Sequence, residues 1–157
     1  MQIKLIAIGK TDLTELNRLI DIYQKRLSHY VRFSFEIIPD LKNSKNLSEK
    51  LQKEEEGKLI LSKLSNSDRL ILLDENGKEM NSVGFSEFLQ KQMNSGLKRL
   101  VLVIGGPYGF SDAVYKKASG KLALSKMTFS HQMVRLFIIE QLYRSFTILK
   151  NEPYHHR

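Results

Sequence analysis

Five short aliphatic runs, each followed by a helical pattern, constrain the fold of this chain more than any other feature. The runs occupy residues 3–8, 31–38, 69–74, 100–104 and 121–124. The first and fourth are almost continuously apolar, which is typical of strands covered on both faces. No Asn-Gly or Asp-Gly hairpin joins neighbouring strands. The pattern predicts an α/β fold with a mainly parallel five-stranded sheet and helices on both faces.

The segments between these runs contain the expected helix boundaries. Helices are predicted at residues 12–28, 48–64, 82–93, 111–118 and 130–150, with Asp12, Ser82 and Ser130 as N-caps. Residues 75–78 read Glu-Asn-Gly-Lys and predict a turn after the third strand. Residues 53–56 form a charge cluster that we interpret as a solvated helix face.

Length and composition limit the class of protein. The 157 residues fit one domain, residues 1–157, with a hydrophobic core of its own. No apolar run approaches the roughly 20 residues that a membrane-spanning helix needs, so we expect no membrane association. The absence of cysteine excludes disulfides and thiolate metal sites. These features predict a cytoplasmic protein.

The charge balance indicates a polyanionic partner. Lys and Arg number 25 against 17 Asp and Glu, which gives a net charge of +8. Such a charge favours nucleic acid, although many basic proteins owe their charge to solubility alone. Because the chain has no basic tail or Arg-Gly repeat, a nucleic-acid surface must be formed by folding.

Three loops are predicted to meet at one edge of the sheet. They comprise residues 73–77, 105–109 and 124–129, and each follows a predicted strand. Ligands of open parallel sheets bind beyond the carboxyl ends of the strands. Glycines at such positions let the backbone approach a ligand, although a tight turn explains any single glycine equally well.

The sequence of the second loop narrows the class of ligand. It matches neither the dinucleotide-binding glycine pattern nor a phosphate loop, since no Gly-Lys-Ser/Thr follows. Pro107 also removes a backbone donor that a phosphate cradle would use. By elimination, a nucleoside-like ligand held by backbone groups fits better than a triphosphate or a dinucleotide.

The last predicted helix is apolar on almost every side. A surface helix normally shows one apolar stripe, so an all-round apolar helix must be covered on two sides. A homodimer interface supplies that cover most simply, and a helix buried centrally within one subunit is the alternative. Glu140 and Arg144 lie one helical turn apart, as a salt bridge requires.

The terminal segment combines groups that can bind RNA. Residues 152–157 contain an aromatic ring, two imidazoles and the guanidinium of Arg157, which can stack on bases and contact phosphates. A frayed terminus is the alternative. His155 and His156 have no carboxylate or further histidine nearby in sequence, so we expect no metal site.

Several ordered motifs in this chain resemble the RlmH family. They are Gly-Gly-Pro-x-Gly at 105–109, Leu-Ser-Lys-Met-Thr-Phe-x-His-Gln at 124–132, Glu-Gln-x-Tyr-Arg at 140–144 and Pro-Tyr-His at 153–155. Members of this family are bacterial SPOUT-class methyltransferases that act on pseudouridine in large-subunit ribosomal RNA. The resemblance spans the chain, and its one departure is Ser130, where relatives often have proline.

The resemblance implies a cofactor, an oligomeric state and a set of site residues. It implies a parallel α/β fold with a C-terminal trefoil knot, a homodimer, and S-adenosylmethionine as methyl donor. The substrate side, with the catalytic groups, would comprise His131, Arg144, Tyr154 and His155. By motif position, the cofactor pocket would use Leu73, Gly105, Gly106, Leu124, Ser125, Lys126, Met127, Thr128 and Phe129.

The activity that the resemblance implies is methylation of pseudouridine at ring nitrogen 3 in 23S ribosomal RNA, on the assembled ribosome. That nitrogen must lose a proton, and a cation such as Arg144 would stabilise the resulting anion. His155 or solvent would accept the proton. Two alternatives stay open: a SPOUT methyltransferase with another RNA target, and a non-catalytic ribosome-associated RNA-binding protein.

Overall fold

The computed structural model describes residues 1–42 and 44–156. Asn43, in the connection after the second strand, and Arg157, in the terminal segment, therefore lie outside the described residues. A short 3-10 turn at Ser44–Asn46 precedes the second helix. The helices and strands, in chain order, are β1 (Gln2–Ile8), α1 (Thr14–Ser28), β2 (Arg32–Ile38), α2 (Glu49–Ser62), β3 (Arg69–Glu79), α3 (Ser82–Asn94), β4 (Arg99–Ile104), α4 (Asp112–Lys117), β5 (Gly120–Ala123) and α5 (His131–Leu149).

The strands form one five-stranded sheet in the order β2-β1-β4-β3-β5. All four strand pairs are parallel, which confirms the predicted α/β class. Each strand is followed by a helix that returns the chain to the same end of the sheet. The carboxyl ends of all strands therefore lie at one edge. The predicted trefoil knot stays a prediction.

Alternate side chains of the sheet enter two separate cores. Leu100 and Leu102 of β4 belong to the core that contains residues of α1, α3 and α5. Val101 and Val103 belong to the core that contains Ile60 of α2 and Val114 of α4. The nearly continuous apolar run of β4 is thus explained by burial on both faces. The helices cover both faces of the sheet, as predicted.

Helix α5 packs between α1 and α3 on one face of the sheet. Ile138, Ile139 and Leu142 are fully buried against these helices and the sheet. Burial within one chain therefore accounts for much of the apolar character of α5. Met133, near its start, keeps 36% of its surface exposed. The homodimer stays a prediction.

Among the described residues, no helix has the length and apolarity needed to cross a membrane.

The predicted turn at residues 75–78 is wrong. Strand β3 continues to Glu79, and its register against β5 shifts, so that Leu73 and Lys78 both pair with Leu122. The residues between them are looped out of the ladder, and the Asp74 carboxylate accepts a hydrogen bond from the Asn76 amide at 2.8 Å. The local turn signal misled because pairing with a distant strand continues the ladder beyond it.

Two predicted caps are also wrong, because distant side chains compete for them. Asp12 does not cap α1; its side chain accepts a hydrogen bond from Gln132 at 3.1 Å instead. Asn81 rather than Ser82 caps α3, and the Ser82 hydroxyl donates to Gln141 at 2.8 Å. Ser130 caps α5 as predicted.

The charge cluster at residues 53–56 is only partly solvated. Glu54 is exposed, but Glu56 is just 3% exposed and lies against the loop after β4. The interpretation of the whole cluster as a solvated face is therefore wrong at Glu56. The reason is helix geometry, since residues two apart on a helix face different directions.

Candidate functional site

The three predicted loops meet at the carboxyl edge of the sheet and enclose a cavity of about 460 Å³. The cavity lies beyond β3, β4 and β5, and the start of α5 closes one side of it. Its size is within the usual range for small-molecule sites, which is roughly 300–1,000 Å³. The edge of the sheet that was predicted to bind a ligand therefore carries a cavity of suitable size.

Most of the residues assigned to the cofactor by the family motifs line this cavity. Lys126 is the exception, since its side chain is exposed and does not belong to the lining. His131, which was assigned to the substrate side, lines the cavity from the first turn of α5. The lining residues among the predicted cofactor set are Leu73, Gly105, Gly106, Leu124, Ser125, Met127, Thr128 and Phe129.

The glycine loop after β4 forms a tight turn at the cavity wall. The Gly109 amide donates to the Gly106 carbonyl at 3.1 Å, and Gly109 has a φ of 81°, which favours glycine. A Cβ atom at Gly105 would lie 3.0 Å from the Phe110 ring. The loop therefore brings bare backbone to the cavity, as a ligand bound by main-chain groups requires.

The loop after β5 contributes the opposite wall. The Ser125 hydroxyl accepts a hydrogen bond from the Met127 amide at 2.9 Å. The Met127 side chain is 75% exposed, while Phe129 packs edge-on against Phe137 of α5 at 5.0 Å. With Leu73 and Leu122, this wall combines apolar surface with backbone groups, a mixture that suits a nucleoside-like ligand.

Sequence reasoning did not single out two polar residues of the cavity as site residues. The Tyr115 hydroxyl donates to the Asp74 carboxylate at 2.7 Å, and both residues line the cavity. Burial, followed by this hydrogen bond, raises the pKa of Tyr115 to about 12. Asp74 could have been found from its position at the end of a buried strand run. Tyr115 lies on the short helix α4 and carries no such signal.

Two of the other predicted substrate-side residues, Arg144 and Tyr154, meet at Glu140, and we call these three residues the tail cluster. Arg144 Nε donates to Glu140 Oε1 at 3.0 Å, and the Tyr154 hydroxyl donates to the same oxygen at 2.9 Å. The Arg144 guanidinium lies 4.6 Å from the centre of the Tyr154 ring. The hydrogen bond to Glu140 raises the pKa of Arg144, so this side chain stays cationic. Glu140 thus orients both neighbours.

The described part of the terminal segment is anchored rather than frayed. The Tyr30 hydroxyl donates to the Glu152 carboxylate, which raises the pKa of Tyr30 to about 12. The Tyr23 and Tyr154 hydroxyls lie 3.1 Å apart. The half-buried His155 leaves its Nδ1 atom without a hydrogen-bond partner among the described residues. Contacts with α1, through Tyr23, and with Tyr30 just after it therefore fix the segment that follows α5.

The cavity and the tail cluster lie at different ends of α5. His131 and Arg144 are thirteen residues apart on this helix, which separates them by about 20 Å along its axis. A second cavity, of about 370 Å³, shares Leu122, Leu124 and Phe129 with the first and extends to Glu140. A single chain therefore does not bring all four predicted substrate-side residues together.

Metal ligands are not clustered in the part of the chain that the structure describes. There, no group of three or more His, Asp or Glu side chains is arranged to hold a metal ion.

Comparisons with known proteins agree over nearly the whole chain. A family model described as "Predicted SPOUT methyltransferase" matches residues 1–155. The chain is 74% identical over 157 residues to the "Ribosomal RNA large subunit methyltransferase H" of Flavobacterium johnsoniae, and the alignment covers 100% of both chains. A protein of the same name from Parabacteroides distasonis is 62% identical over 156 residues, with 99% of each chain covered.

A solved structure shares the fold. It is that of a probable methylase family protein from Haemophilus influenzae Rd KW20, which aligns with a TM-score of 0.50 and 12% sequence identity. The alignment covers 99% of this chain and 70% of that chain. At this identity the likeness concerns the fold alone.

Proposed function

We propose that this chain methylates 23S ribosomal RNA with S-adenosylmethionine. The premise is that the chain belongs to the ribosomal RNA large subunit methyltransferase H family of SPOUT methyltransferases. Its acceptor would be ring nitrogen 3 of a pseudouridine, on the assembled ribosome in the cytoplasm. The observation that carries this proposal is the cavity at the sheet edge, which is built from the family's motif loops. The whole of residues 1–157 would act as one domain.

The cavity fits the cofactor in size and in chemistry. Its volume of about 460 Å³ suits a nucleoside with a short charged side chain. Backbone groups of residues 105–109 and 124–129 would hold the polar edges of the ligand, and Leu73 would pack against its base. When bound there, the cofactor supplies an electrophilic methyl group.

The tail cluster supports the proposed handling of the acceptor. A pseudouridine ring nitrogen carries a proton at neutral pH, so methyl transfer requires an anion to form. The Arg144 guanidinium, held by Glu140 and stacked on Tyr154, would stabilise that anion. His155, whose Nδ1 atom has no hydrogen-bond partner among the described residues, would accept the proton.

A homodimer would unite the two groups of residues. Within one chain, His131 at the cavity and Arg144 are about 20 Å apart along α5. Large apolar side chains remain exposed on and before α1 and at the start of α5: Leu13 at 56%, Leu19 and Ile22 at 44% each, and Met133 at 36%. We propose that these side chains pack against a second copy, and that the tail cluster of one protomer closes over the cavity of its partner. The net charge of +8 would then draw the dimer to ribosomal RNA.

Methyl transfer tests the function directly. Purified protein would be incubated with methyl-labelled S-adenosylmethionine and either ribosomes or free 23S ribosomal RNA, both from a strain that lacks the gene. We expect label on one pseudouridine of the ribosomal substrate, located by mapping the modified nucleotide. Label on a different RNA would favour another SPOUT target. An absence of cofactor binding in calorimetry would instead favour a non-catalytic RNA-binding protein.

A further inference from the structure

Glu56 of α2 is a buried carboxyl group that lies directly behind the glycine loop of the cavity. Its side chain is 3% exposed, although it follows two other glutamates in a charged helix. A Cβ atom built on Gly106 would lie 2.3 Å from Glu56 Oε2 and 2.9 Å from Oε1. The carboxyl group therefore packs against the Gly106 backbone, with no space for any side chain between them.

A neighbouring contact fixes the other end of the same loop. A Cβ atom on Gly57 would lie 2.3 Å from the hydroxyl oxygen of Ser111, the residue that caps α4. Consecutive residues of α2 thus meet the loop at Gly106 and at Ser111. Because residues 105–110 form a wall of the cavity, α2 supports this wall from the side that faces away from the ligand.

Burying the carboxyl group of Glu56 in these surroundings costs free energy, so filling space alone does not explain why a carboxyl group is there. Gln52 Nε2 donates to Glu56 Oε1 at 2.8 Å, and among the described residues no Lys or Arg forms an ion pair with it. Burial raises the pKa of Glu56; the Gln52 hydrogen bond opposes that rise, and Asp40 adds to it. An apolar side chain would avoid the cost of burying this group.

We propose that Glu56 is a positioning residue for cofactor binding, whose carboxyl group sets the place of Gly106 and, through it, of the cavity wall at residues 105–110. This inference rests on the proposed function, because the ligand of the cavity is taken to be S-adenosylmethionine. Glu56 itself does not line the cavity, so it acts through the loop. Shape and reach are the properties of the side chain that matter.

Two substitutions at Glu56 separate reach from charge. Glu56→Gln keeps the shape and removes the ionisable group, whereas Glu56→Asp keeps the charge and withdraws it from Gly106 by one methylene. We expect Glu56→Asp to raise the dissociation constant of S-adenosylmethionine about tenfold, and Glu56→Gln to leave it within about threefold. The Michaelis constant for the cofactor would follow the same order, while kcat at saturating cofactor stays near that of wild type.

A double substitution tests the direct contact. In the wild-type background, Gly106→Ala collides with the Glu56 carboxyl group and should weaken cofactor binding about tenfold or more. In the Glu56→Asp background the added methyl group has space, so the same change should cost much less. Gly106 has a φ outside the left-handed region, so the backbone itself tolerates alanine. Glu54→Ala, exposed on the same helix, is the matched control.

Calorimetry with S-adenosylmethionine and thermal unfolding of each variant decide the outcome. Additive effects of the two substitutions would overturn the proposal, as would variants that unfold at lower temperature with unchanged cofactor affinity. A defect in Glu56→Gln as large as that in Glu56→Asp would also contradict it, because a side chain of unchanged shape and reach would then not preserve binding. Wild-type protein that binds no S-adenosylmethionine would overturn the proposed function together with this inference, whereas binding unaffected by Glu56 would overturn the inference alone.

Discussion

Asp68, in the turn before β3, is the most strongly paired carboxylate at the amino edge of the sheet. Its side chain is 1% exposed and accepts hydrogen bonds from Arg99 Nε and from the Ser65 amide, both at 2.7 Å. Burial alone would raise its pKa, but the hydrogen bonds from Arg99 and Ser65 lower the pKa to about 2. The pairing ties the start of β4 to the turn that leads into β3.

The depressed pKa predicts how stability depends on pH. Because the pKa of Asp68 is about 2 in the folded state and 3.8 in the unfolded chain, its stabilisation is full above pH 4 and is lost as pH falls through 2. We expect Asp68→Asn to lower the free energy of unfolding by about 2 kcal/mol at pH 7. The difference from wild type should shrink steadily between pH 4 and pH 2 in urea titrations. Asp21→Asn, on the exposed side of α1, is the matched control for loss of a carboxylate.

Helix α5 is the element that connects the two parts of the proposed site. Its first turn lines the cofactor cavity, and its fourth turn carries Arg144. Since Arg144 would act on the acceptor base and does not line the cavity, a change there should spare cofactor binding. In the proposed site, cofactor binding and catalysis would therefore depend on different turns of this helix.

Substitution of Arg144 tests that separation. We expect Arg144→Ala to lower kcat about a hundredfold, because the cation that stabilises the developing anion is lost. The dissociation constant of S-adenosylmethionine should stay within about twofold of wild type. Lys150→Ala, an exposed cation just beyond the same helix, is the control for a general loss of positive charge. A large loss of cofactor affinity in Arg144→Ala would contradict the assignment.

The elements could be predicted from sequence where the signal was local, and not where distant groups compete. Apolar periodicity placed every helix and strand, and strand ends placed the three loops of the cavity. The continuation of β3 depends on Leu122, almost fifty residues away, so the turn signal at Asn76 misled. Asp12 and Ser82 do not cap their helices because their side chains form hydrogen bonds with Gln132 and Gln141 of α5 instead. Glu56 escaped notice because a charged helical run does not reveal which member faces the core.

The proposed dimer makes a prediction at the scale of the whole molecule. Gly105→Val should fill the cofactor cavity beside Phe110, and Arg144→Ala should disable the tail cluster. If each site combines the cavity of one protomer with the tail cluster of its partner, mixed dimers of the two variants hold one intact site. Equal mixing after subunit exchange should then restore roughly a quarter of wild-type methyl transfer.

Two further measurements accompany the mixing experiment. Each variant exchanged only with itself is the control and should stay inactive. Sedimentation of the wild type should show a dimer at micromolar concentration. A stable monomer that transfers methyl groups at the full rate would contradict the shared site.

The looped-out residues of β3 are a place where sequence changes should have little effect on the stability of the sheet. Leu73 and Lys78 both pair with Leu122, so the ladder resumes at the residue where it was interrupted. Asp74, Glu75 and Asn76 nevertheless line the cofactor cavity. Changes at these three residues would reshape the rim of the site, whereas Gly77 is held against the sheet, because a Cβ atom there would lie 2.5 Å from the Leu122 backbone. Directed evolution of these three residues should therefore adjust ligand preference at this rim while the sheet stays constant.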